Sequence, residues 1–118
     1  MDLAELNRHV TSAIFRAERL VEGSWEAQAA YREVSVLEEA IARQTGVAEI
    51  EGVLAREGAV RAAMRAGECL RALSLATRYL EEEGAPSHLQ AELTKLQREA
   101  ESALPDGSAD VVLARMAA

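Results

Sequence analysis

Near the start of the chain, Leu3, Leu6, Val10, Ala13, Ala17 and Leu20 recur at 3-4-3-4-3 spacing, an unbroken apolar seam along one side of an α-helix. Ile14 and Phe15 widen it. Asp2 and Glu5 stand at capping-box spacing ahead of the seam, and Gly23 follows it, where a left-handed residue stops a helix at least cost. The pattern predicts a helix over 3–21. Ser24 is a good N-cap for a second helix over 24–44, in which Ala27, Ala30, Val34, Leu37 and Ile41 repeat at 3-4-3-4 with Tyr31 beside them. A connection of one or two residues makes these helices an antiparallel hairpin. Glu39 and Arg43 lie at the supportive i,i+4 spacing.

The third helix, 48–66, carries Ile50, Val53, Leu54, Val60, Ala63 and Met64 as its apolar face. Gly52 and Gly58 sit inside it, each costing on the order of 1 kcal/mol against alanine. They predict either very close helix contact or a late start near Val53. Gly67 separates this helix from the fourth, 68–83, which is apolar over most of its circumference. Cys69, Leu73, Ala76 and Leu80 form one row, and Ala72, Leu75 and Tyr79 a second. Glu68, Arg71, Ser74 and Arg78 share one narrow polar stripe. A helix wetted only along a stripe needs several neighbours, so the fourth helix is expected to be the hub. Its Cys69 row is expected in the core and its Ala72 row against a partner.

Gly84-Ala85-Pro86 is a hard stop, and Ser87 with Gln90 repeats the capping-box spacing. Leu89, Leu93, Leu96, Ala100 and Ala103 follow at 4-3-4-3, with Lys95 and Glu99 as a surface pair. Pro105-Asp106-Gly107 reads as a turn, and Ser108 caps a short helix bearing Val111, Val112, Leu113 and Met116. The expected fold is all-α, a single domain over 1–118. Antiparallel hairpins over 2–44 and 48–83 and closing helices over 87–117 pack as a bundle or short stack, about five helices plus a short C-terminal one.

Composition agrees with that reading. Of 118 residues, 49% are hydrophobic but only 3% aromatic, which suggests a thin alanine–leucine core. No segment alternates with period two. The net charge of −7 argues against nucleic acid and anionic lipid as partners, since both demand a basic surface. No apolar run approaches membrane-spanning length, and the acidic N-terminus lacks the form of a signal peptide, so a cytoplasmic location is expected.

Candidate chemistry is sparse. Cys69, the single cysteine, lies on an apolar row and reads as a small buried hydrophobe. His9 and His88 have no ligand at metal-binding spacing and no phosphotransfer signature. The run Glu81 to Glu83 reads as a solvated helix end. No catalytic cluster, cofactor motif or metal set is expected. Aromatics favour interfaces, and Trp25 and Tyr31 join Arg71, Ala72, Leu75, Arg78 and Tyr79 as the candidate partner-binding residues. The function expected is a non-enzymatic adaptor, chaperone or regulatory subunit that binds a protein partner's helix or a second copy of itself. The alternative is a small helical enzyme or ligand binder using Arg32, Glu57, Arg61 and Arg71, and convergence of those arginines in one cleft would favour it.

Gly58 and Ala59 on one helix, Gly67 at the turn and Ala72 five residues on resemble a degenerate tetratricopeptide repeat. Gly23-Ser24-Trp25-Glu26-Ala27, followed by Tyr31, is similar to the same turn with its aromatic. Cys69 stands where the family carries an aromatic after the turn glycine, and the terminal proline is missing. The resemblance spans about half the chain. It implies stacked helical hairpins with a groove for a peptide or helix.

Overall fold

The computed structural model describes residues 1–105. It contains α1 (Leu3–Glu18), α2 (Trp25–Arg43), α3 (Ile50–Arg65), α4 (Cys69–Leu80) and α5 (Ser87–Ser102). No strand occurs among the described residues. The short helix expected from Ser108 lies outside them.

Two of the predicted caps form. The Glu5 amide donates to Asp2 Oδ1 at 2.8 Å, and the Ala27 amide to Ser24 Oγ at 3.2 Å. The third does not. Ser87 is already helical, and Gln90 Nε2 donates to the Ala85 carbonyl at 2.8 Å instead of closing a capping box. α1 also stops short of Val21. The amides of Arg19 and Leu20 tighten onto the carbonyls of Arg16 and Ala17, and residues 19–24 make a longer turn than expected. Leu20 and Val21 remain exposed there, so nothing packs against a further turn of helix. α4 ends at Leu80 because carboxylates at the negative end of the helix dipole oppose its extension through Glu81 to Glu83.

Consecutive helices run antiparallel, and alternate helices run parallel. Arg32 meets Glu68, Ser35 meets Arg71 and Glu39 meets Arg78, so α2 and α4 ascend together. On the other layer, Arg61 of α3 reaches Glu92 of α5. α3 packs on α2, α4 and α5 and is therefore the centre of the fold, a place the sequence suggested for α4. Its buried face is thin, made of Val53, Ala55, Ala59, Val60, Ala62 and Ala63. Ile50 and Leu54, expected on that face, are 80% and 60% exposed. Gly52 is what close approach requires: a Cβ there would collide with the Gly46 carbonyl. A Cβ at Gly58 would lie 2.9 Å from Glu38 Cδ. The helix starts at Ile50, ahead of both glycines; backbone contact requires Gly52, whereas the neighbour at Gly58 is the movable end of Glu38. At the α3–α4 turn Gly67 has φ 75°, a left-handed conformation that suits glycine.

The two rows of α4 are also corrected. Ala72 and Leu75 are fully buried, as are Leu73 and Ala76, while Cys69 and Leu80 are half-buried. The row set aside for a partner is interior because the alanine surface of α3 lets α4 sink into it. One apolar core runs from Leu6 of α1 to Ala100 of α5. Among the described residues no helix is long and apolar enough to cross a membrane.

Candidate functional site

The polar seam between α2 and α4 grows out of helical spacing. Ser35 and Glu39 stand one turn apart on α2, while Arg71 and Arg78 stand two turns apart on α4. Because the helices are parallel, the two sets meet in register. Arg71 Nη2 donates to Glu39 Oε1 at 2.7 Å, and its Nε donates to Ser35 Oγ at 3.2 Å. The Ser35 hydroxyl donates to the Ala59 carbonyl at 2.8 Å, tying both helices to α3. Arg43 Nη2 donates to Glu39 Oε2 at 2.6 Å, and Arg78 approaches the same oxygen at 3.7 Å. The expected Glu39–Arg43 pair thus forms, but Glu39 is buried and faces three guanidiniums.

Beneath this seam lies Arg56, only 5% exposed. Its Nε and Nη2 donate to the Glu82 carboxylate at 2.8 and 2.9 Å, a bidentate pair. Nη1 donates to the Gly52 carbonyl at 3.0 Å, and Nη2 also reaches the Thr45 carbonyl at 3.2 Å. A buried charge is tolerated only with such saturation. Glu82, read from sequence as part of a solvated run, is the counter-ion of the core. The Arg56 guanidinium also stands 5.6 Å from the centre of the Tyr79 ring.

Tyr79 is 8% exposed, and its hydroxyl has no hydrogen-bond partner among the described residues. Buried polar groups are nearly always paired, and leaving one unpaired costs about 1–3 kcal/mol. Burial, reinforced by the nearby Glu39 carboxylate, pushes the phenol up to about 12, with Arg56 and Arg78 opposing. The hydroxyl therefore keeps its proton and is available as a donor. Tyr79 lines a cavity of about 200 Å³ with Glu39, Ala42, Arg43, Arg56, Arg78 and Glu82.

Of the residues singled out from sequence, Arg71, Arg78 and Tyr79 come together here. Ala72 and Leu75 do not, being sealed in the core. Trp25, 75% exposed, stands at the first turn of α2. Tyr31 lies apart, stacked under Arg65 at 5.4 Å beside a second cavity with Met64 and Leu20. Sequence reasoning missed Ser35, Arg56 and Glu82. The available signal was Arg56 within a helix whose other spacing is that of a buried face. The arginines of the alternative reading do not converge in one cleft. Arg32 pairs with Glu68, and Arg61 with Glu57 and Glu92. The Glu92 hydrogen bond raises Arg61 above its ordinary value and lowers Glu92. Lys95, expected beside Glu99, forms no such pair in the described structure. His9 and His88 are exposed, and no group of three potential metal ligands gathers among the described residues.

Compared with protein-family models, curated proteins and solved structures, the chain has no significant match.

Proposed function

We propose that the protein is a non-enzymatic binding module whose α2–α4 face receives an acidic, amphipathic helical segment of a protein partner. One observation carries this reading. Trp25, Ala29, Arg32, Val36 and Arg43 fall at 4-3-4-7 spacing and are all exposed, so one stripe of α2 alternates apolar side chains with guanidiniums. On a chain of net charge −7 the two stripe guanidiniums are paired on one side, Arg32 with Glu68 and Arg43 with Glu39, and remain more than half exposed on the other. An exposed tryptophan with an arginine two turns along the same stripe has the composition of an interface anchor. Charge complementarity selects a partner helix with carboxylates along one edge.

Co-purification from the native host tests the reading. Wild type and Lys95→Glu, altered on exposed α5, are expected to retain the same protein, and a Trp25→Ala/Val36→Glu double variant to lose it. Equal retention by the double variant overturns the reading. The alternative, a ligand site between helices, draws its support from the cavity at Tyr79.

A further inference from the structure

The cavity beside Tyr79 joins three features that each narrow what it can hold. First, its charge is unbalanced. Its lining sets the guanidiniums of Arg43, Arg56 and Arg78 against the carboxylates of Glu39 and Glu82, a surplus of one positive charge, and Arg71, bonded to Glu39 outside the lining, raises the surplus of the cluster to two. Second, the donors are unequally committed. Arg56 spends its nitrogens on Glu82, Gly52 and Thr45, and Arg71 is bound to Ser35 and Glu39. Arg78 makes only the 3.7 Å approach to Glu39, and Arg43 makes one short bond. The side chains of Arg43 and Arg78 are 69% and 53% exposed, so both line the mouth with donors to spare. Third, one of the lining residues is Tyr79, whose hydroxyl is buried and unpartnered. The charges acting on that hydroxyl are Glu39, Arg56, Arg78 and Glu82, the same groups that line the cavity.

Both carboxylates are already capped. Glu39 is held by Arg71 and Arg43, and both Glu82 oxygens by Arg56. Neither is free to receive a cation, whereas the unspent groups are all hydrogen-bond donors. We infer that this cavity is a binding site for a small dianionic oxyanion, of the size of phosphate or a short dicarboxylate. Arg78 and Arg43 pair with it at the mouth, and the buried Tyr79 hydroxyl is the further donor that turns to it. Planar guanidinium forks suit such an oxyanion, which neutralises the surplus charge. The site shares Arg43 with the partner face but not Trp25 or Val36, so Arg78→Gln and Tyr79→Phe test the cavity apart from the Trp25→Ala/Val36→Glu variant.

The test is a titration of the whole protein with inorganic phosphate, and separately with malonate. Total ionic strength is held constant with sodium chloride so that screening does not change. Binding is followed by NMR at the arginine Nε–H groups and the amides of residues 76–83. A saturable shift centred on Arg78, with a dissociation constant on the order of 1 mM for at least one anion, is expected. Arg78→Gln should weaken it about tenfold. Tyr79→Phe should weaken it by a smaller factor while leaving the melting temperature unchanged or raised, which separates lost binding from lost folding. Arg16→Gln, at an exposed α1–α2 ion pair, should titrate as wild type. The inference is overturned if neither anion saturates, if all exposed arginines shift alike, or if Tyr79→Phe and Arg78→Gln both titrate as wild type.

Discussion

α4 has two flanks built from different chemistry. Toward α5 the contact is mainly apolar: Leu73 and Ala76 share the core with Leu89, Leu93 and Ala100, all fully buried, and one hydrogen bond runs from Gln97 Nε2 to Thr77 Oγ1 at 3.1 Å. Toward α2 the same helix presents Arg71, Arg78 and Tyr79 to Ser35 and Glu39. The apolar flank needs mainly volume. The polar flank needs each donor opposite its acceptor and so fixes the register of α2 on α4. It is also where groups remain with bonds to spare, which makes it the flank able to recognise a ligand.

The contrast can be broken at its strongest point first. Arg56→Ala is expected to lower unfolding free energy by about 4 kcal/mol in urea titration, because Glu82 is left without its buried counter-ion. A loss no larger than that from a surface pair would mean that the seam contributes no structure. On the apolar flank, Leu93→Ala should cost about 3 kcal/mol by the same measurement, from lost burial and the cavity left behind.

Neighbouring carboxylates on α2 give a smaller effect. Glu39 has three arginines around it, whereas burial alone pushes Glu38 up to about 7. A carboxyl raised on folding contributes fully below its ordinary value near 4.5 and loses that contribution as pH climbs through about 7. Glu38→Gln should therefore match wild type near pH 4 and exceed it by about 1–2 kcal/mol near pH 8, the shift being discounted for partial exposure. Denaturation across that pH range checks the sign. Smallest of all, Arg61→Ala should cost less than about 1 kcal/mol, since Arg61 and Glu92 are 46% and 26% exposed. A larger loss would show that the α3–α5 seam is structurally closer to the α2–α4 seam than its exposure implies.

These regions also differ in how far the sequence announces them. The seams of α1, α2 and α5 are spelled out by leucine, valine and alanine at helical spacing, and the caps at Asp2 and Ser24 are local enough to read directly. α3 is obscured because it is central through smallness. Alanine and glycine mark close approach only once the neighbour is known, and the exposed Ile50 and Leu54 compete for the role of its buried face. α4 looked like the hub because both of its rows are apolar, yet that pattern cannot say which row is covered. Arg71, Arg78 and Tyr79 were legible as a polar edge with an aromatic. Their partners were not, since pairing Arg71 with Glu39 and Arg56 with Glu82 depends on the parallel register of α2 and α4 and the antiparallel register of α3 and α4. Charged residues at those positions read as surface until the helices are placed.

The exposure of Trp25 also governs how the protein can be observed. As the sole tryptophan, with its ring mostly in water, it emits as a solvated indole in the folded chain and in the unfolded one. Fluorescence is then nearly blind to denaturation, and amide circular dichroism must follow the unfolding experiments. The same blindness makes Trp25 a clean optical probe of its face: a blue shift on adding a partner reads desolvation of the indole at the interface, with no contribution from folding.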